Sequence, residues 1–130
     1  VAGDQEVVTV ASARLAALVE RGEEDGPDAR RIIAEEVQPL LEAEVGTIVL
    51  GCTHYPFLAG TIRQLTGLPV LEPSAAVARQ AARLWREQVP PGDEPSPGQI
   101  ELYATGDPDA LRRFCQRHGI PGEVRPLDLG

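Results

Sequence analysis

The residues best equipped for chemistry lie in "VLGCTHYPFLAG", residues 49–60, where Cys52 and His54 stand two apart, after an apolar run and before a proline. A thiolate is a nucleophile and a proton acceptor, and an imidazole within reach can set its protonation state. A carboxylate can in turn orient the imidazole. Three readings fit these residue types. Cys52 can be a catalytic thiol. Cys52 and His54 can be half of a zinc site completed by Cys115 and His118. Cys52 can also be a small buried hydrophobe and His54 a surface hydrogen-bonding residue, the commoner fate of a lone cysteine after an apolar strand. Spacing alone does not choose among them.

The elements that must position this stretch follow from hydrophobic period and punctuation. "GTIVLG" reads as a fully buried strand over residues 47–50. Cys52 then falls just past its carboxyl end, the edge at which open α/β sheets bind ligands. A helix opened by Pro56 should follow, with Phe57, Leu58, Ile62 and Leu65 apolar and Gly67 closing it. Backbone N–H groups at a helix start attract anions and favour thiolate over thiol, and Gly51 keeps the backbone bare beside Cys52.

Upstream, the β-branched "EVVTVA" (residues 6–11) predicts a strand, and Leu15, Leu18 and Val19 recur at helical spacing before a stop at Gly22. Pro27 suits a first helical position, and Ile32, Ile33, Val37, Leu40 and Leu41 form one stripe that Pro39 interrupts, which should kink the helix or split off its last turn. Downstream come a short strand in "LPVLE" and a helix capped by Ser74 running to about Gln88, with Val77, Ala81, Leu84, Trp85 and Val89 inward. Residues 89–99 carry four prolines and read as a loop. A strand in "IELYAT", a helix from Pro108 to about His118 and a last strand near "EVRPLDL" complete the chain. Strands alternating with helices predict an α/β fold with a mainly parallel sheet flanked by helices.

Composition bounds the function. A chain of 130 residues can bury a real core, and one that begins at Val1 without any methionine is expected to be a fragment or processed product. It shows no secretory leader and no apolar stretch near the roughly 20 residues that span a bilayer, so a soluble chain is expected. The net charge of -8, with all twelve basic residues arginine, argues against nucleic-acid or membrane partners. Two cysteines are too few for a disulfide scaffold and fit free thiols in a reducing cytoplasm.

The full hexapeptide "GCTHYP", followed by a helix, resembles the second cysteine motif of the glutamate racemases, in the aspartate/glutamate racemase superfamily. "VASARLAALVERG" is similar to that family's "ACPLFVPLVEEG" pattern, and "YATGDPDALRRFCQRHG" to its closing "TGDP" strand, turn and helix. The resemblance covers nearly the whole chain. It implies interconversion of L- and D-glutamate for peptidoglycan precursors by two thiols on opposite faces of the α-carbon, without pyridoxal phosphate or metal. Cys52 matches the C-terminal catalytic cysteine, and His54 the histidine that assists its proton movement. Thr53 matches a residue that holds the substrate carboxylate, and Glu20 a glutamate near the histidine and thiol.

The same resemblance implies a two-lobed fold, with residues 1–77 forming most of the C-terminal lobe and residues 78–130 returning to the N-terminal one. The family's "DSGxGG" and "CNT" motifs are absent here, so the missing N-terminal half is an expected partner, and the chain alone should not racemise. Ser12 and Ala13 replace the usual Cys-Pro, and Glu72, Pro73 and Ser74 depart from "DS" or "DP". Cys115 reads as structural. Apolar faces around Leu84, Trp85, Leu111 and Phe114 should lie uncovered, favouring aggregation or a homodimer. Two other functions fit: a non-catalytic module binding a small dicarboxylate or a protein, and a racemase of aspartate or another small amino acid. Tyr55 and Pro56 favour glutamate.

Overall fold

The computed structural model describes residues 6–88 and 99–130, which form α1 (Ala13–Arg21), α2 (Pro27–Glu42), β1 (Ile48–Val49), a 3-10 turn (Tyr55–Leu58), α3 (Ala59–Thr66), β2 (Val70–Leu71), α4 (Ser74–Gln88), β3 (Glu101–Ala104), α5 (Pro108–His118) and β4 (Glu123–Pro126). The class is the α/β one that the alternation predicts, and both strand pairs are parallel. The chain divides into two compact units, Val1–Arg83 and Leu84–Gly130, with the boundary inside α4.

In the first unit, Ser12 caps α1 by accepting the Leu15 N–H, and Gly22 ends it at φ 70°, a left-handed value that glycine adopts without strain. Pro27 opens α2 as expected. Pro39 does not split off the last turn: α2 runs to Glu42 as one helix. Pro39 lacks the N–H that would bond the Glu35 carbonyl, and the helix continues past that one forfeited bond.

The core is drawn from Leu15, Leu18 and Val19 of α1, Ala29, Ile33 and Val37 of α2, Leu58, Ala59 and Ile62, and the inward residues Ile48, Leu50 and Val70. Helix α2 packs on α1 and α3, and α1 also packs on the 3-10 turn. Each fully buried leucine or isoleucine contributes about 1.5–3 kcal/mol of burial, so these contacts fix where α1 sits.

Four expectations fail here and along α4. Residues 6–11 form no strand: β-propensity reflects packing on neighbours, and no pairing is made there among the described residues. The strand at 47–50 is not fully buried, because β1 and β2 pair as Ile48↔Val70 and Val49↔Leu71, leaving Val49 70 % and Leu71 58 % exposed on the opposite face. Helix α4 starts at Ser74, but the Glu72 carboxylate accepts the Ser74 N–H at 2.8 Å, so Glu72 takes the capping role given to Ser74. None of its residues is buried: Val77, Leu84 and Trp85, expected inward, are exposed, and so is Ala81. Val89 and all but Gln99 of the Pro-rich stretch lie outside the described residues.

In the second unit, β3 and β4 pair from Glu101↔Glu123 to Ala104↔Pro126, with α5 as the crossover that a parallel pair requires. Asp107 caps α5 through the Asp109 N–H. Cys115 and Val124 are its buried apolar residues, and the Arg112 guanidinium donates to the Val124 carbonyl at 3.0 Å. Leu111 and Phe114 are half-buried rather than uncovered.

Candidate active site

Cys52 lies two residues past Leu50, where the chain leaves β1 and bends toward the 3-10 turn. The thiol is half-buried and not in a disulfide. A 3-10 turn, Tyr55–Leu58, intervenes between Cys52 and α3, so the α-helix expected from Pro56 starts three residues later at Ala59. The thiolate is therefore not set directly on an α-helix start. Its pKa is lowered chiefly by the His54 backbone N–H, with the His54 imidazole and the Tyr55 N–H adding to this against the cost of burial.

The His54 ring bridges two groups. Its Nδ1 lies 3.7 Å from Cys52 Sγ and 3.4 Å from Thr53 Oγ1. Its Nε2 faces Glu20 Oε1 in a short contact from the last turn of α1. A carboxylate accepts only, so Nε2 carries a hydrogen, which leaves Nδ1 of a neutral ring free to accept the thiol proton. When that proton transfers, imidazolium and thiolate face each other. The Glu20 hydrogen bond is the main cause that raises the His54 pKa, followed by its bond to Cys52.

Cys52, Thr53, His54 and Glu20 are thus brought together, although Glu20 is 34 residues from His54 in sequence. Cys115 is buried in the other unit. Among the described residues no group of three or more His, Cys, Asp or Glu is arranged to hold a metal ion. No helix among them is long and apolar enough to cross a membrane.

Two features escape the sequence reading. The Tyr55 hydroxyl donates to the Ser12 carbonyl at 2.8 Å, across 43 residues. Arg14 bonds Glu35 at 2.7 Å and Glu36 at 3.1 Å, pinning α1 to α2. The serine before "ARLAALV" is an N-cap signal that could have located the helix start. A backbone carbonyl as acceptor leaves no sequence signal.

Residues 3–81 match the family model described as Asp/Glu/Hydantoin racemase. The chain is 44 % identical over 117 residues to a glutamate racemase of Herpetosiphon aurantiacus, covering 88 % of this chain and 46 % of that one. It resembles the crystal structure of glutamate racemase from Thermus thermophilus in complex with β-chloro-D-alanine, with a TM-score of 0.72 and 31 % identity, covering 89 % of this chain and 45 % of the other. Glutamate racemase from Francisella tularensis in complex with D-glutamate shares the fold at a TM-score of 0.75 and 19 % identity, covering 88 % and 44 %. The chain spans about half the length of the curated relatives it matches.

Proposed function

The chain belongs to the Asp/Glu/hydantoin racemase family, and on that premise we propose that it supplies one of two thiols for cofactor-independent interconversion of L- and D-glutamate. The line of contacts Glu20–His54–Cys52 carries the reading. In one direction the Cys52 thiolate takes the α-proton and becomes a thiol, while the electron pair stays on the α-carbon and is stabilised as a carbanion beside the carboxylate. A thiol on the opposite face, supplied from outside this chain, returns a proton with inverted configuration. In the other direction Cys52 is the thiol that donates.

His54 governs which form of Cys52 is present, and Glu20 keeps the ring oriented and chargeable. Thr53 is the substrate-carboxylate ligand in this scheme, with its exposed hydroxyl beside the imidazole. Residues 1–77 belong to the C-terminal lobe and residues 78–130 return to the N-terminal lobe. The uncovered apolar positions on α4 are where further protein, the other half or a second copy, would pack. D-Glutamate made in the bacterial cytoplasm would then feed peptidoglycan precursors.

The relatives' names favour glutamate over aspartate as substrate. Polarimetry with both amino acids tests this on the racemase that contains these residues. Turnover of glutamate that exceeds that of aspartate and is lost in Cys52→Ser supports the proposal. Faster turnover of aspartate moves the substrate, and turnover that survives Cys52→Ser removes the catalytic role.

A further inference from the structure

We propose that Tyr55 is a positioning residue for the Glu20–His54–Cys52 line, acting through α1 by fixing the start of the helix whose last turn carries Glu20. The inference rests on the reading of Cys52 as a proton carrier governed by His54.

His54 and Tyr55 are adjacent, yet their side chains diverge to the two ends of one helix. His54 meets Glu20 in the last turn of α1, and the Tyr55 hydroxyl meets the carbonyl of Ser12, the N-cap. Eight residues separate Ser12 from Glu20, about 12 Å along the axis at the usual helical rise. Two anchors so far apart add to the core packing of α1 by tying both of its ends directly to the Cys52 loop. Burial of Leu15, Leu18 and Val19 seats the inner face of α1, but the Glu20 side chain itself is 64 % exposed, so the His54 contact alone is a weak constraint on where that carboxylate lies.

The phenol is suited to the task. Tyr55 is half-buried, and burial is the main cause that pushes its pKa up, so it remains a neutral donor. The Tyr55 backbone N–H also donates to the Cys52 carbonyl at 3.2 Å, closing the segment between thiol and ring into one turn. The Ser12 hydroxyl meanwhile accepts the Leu15 N–H at 3.2 Å, so the carbonyl that Tyr55 grips belongs to a residue already built into the helix start. Displacing that end displaces Glu20.

The test is the pH dependence of iodoacetamide alkylation at Cys52 in the racemase that contains these residues, followed by peptide mass spectrometry so that Cys115 and any other cysteine are counted separately. Tyr55→Phe, which keeps the ring and loses the donor, should slow Cys52 alkylation near neutral pH by about threefold, the scale of one lost hydrogen bond. Glu20→Gln should slow it comparably, and adding Tyr55→Phe to Glu20→Gln should change nothing further. Placing 4-aminophenylalanine at position 55 returns a weaker donor and should recover part of the rate.

A Tyr55→Phe profile superposable on the wild type, or an undiminished effect in the Glu20→Gln background, overturns the positioning role. A lower melting temperature with an unchanged profile does the same. If Tyr55→Phe does not fold, 4-fluorophenylalanine at position 55, which also lacks the donor, decides: slower alkylation that disappears in Glu20→Gln supports the role, and a wild-type rate overturns it. If His54→Ala leaves the profile unchanged, the reading of the site fails and takes the positioning with it; a changed His54→Ala profile beside an inert Tyr55→Phe defeats the positioning alone.

Discussion

Replacing Glu20 by Gln removes the charge facing His54 while preserving side-chain size and an acceptor oxygen. The His54 side chain is 30 % and the Glu20 side chain 64 % exposed, so water screens the pair and its worth is that of a surface ion pair, about 0.2–1 kcal/mol. The sign follows from linkage. Folding raises the His54 pKa above its ordinary 6.5, so the stabilisation is fully present below the unfolded value and is lost as pH rises through the folded one. Cys52 behaves in the opposite sense, since its lowered pKa stabilises above the unfolded thiol value and fades as pH falls through the folded one. Both proteins keep that thiol, so it enters their difference only through the His54 ring that Glu20 charges. Urea denaturation at about pH 5.5 should find the wild type more stable by about 0.2–1 kcal/mol, with the gap closing above about pH 9 and shrinking in 1 M salt. A gap equal at both pH values, or larger at the alkaline one, would refute the charge coupling between Glu20 and His54.

Other perturbations probe the frame around the site. Leu18→Ala empties a position only 1 % exposed beneath α1 and should cost about 2–5 kcal/mol in urea denaturation. Gly122→Ala should destabilise the β3–β4 pair by about 1–3 kcal/mol, because Gly122 has φ 131° and an added Cβ would lie 2.9 Å from the Ile100 carbonyl oxygen; faster amide exchange along β3 checks this. Iodoacetamide at neutral pH should label Cys52 well before the 5 %-exposed Cys115, and His54→Ala should slow only the former, as timed peptide mapping would register.

The fold was legible wherever a local rule acts alone. Pro27 at a helix start, Gly22 at a helix end and the Leu15, Leu18, Val19 stripe each state their role within a few residues. What misled was burial that depends on distant partners. The apolar stripe of α4 reads as inward because its period is helical, but periodicity says which face wants a neighbour and not whether this chain provides one. The strand at 47–50 reads as fully buried for the same reason, although Val49 is exposed. Within the site, Cys52 and His54 announced themselves by proximity, and Glu20 entered only through family likeness, since an acidic helix end is otherwise an ordinary solvated one. The grip of Tyr55 on Ser12 joins a side chain to a carbonyl, a group that every residue carries.

The most direct measurement of the central claim, that Cys52 moves a proton at the α-carbon, follows deuterium at Cα by NMR when D- and L-glutamate are held in D2O. It is made on the racemase that contains these residues, wild type and Cys52→Ser. With Cys52 intact, both enantiomers should take up deuterium and interconvert. With Cys52→Ser, interconversion should cease and exchange should survive with at most one enantiomer, because a single remaining thiol reaches a single face. Racemisation and exchange at wild-type rates in Cys52→Ser would contradict the assignment and leave the Glu20–His54–Cys52 line a structural feature.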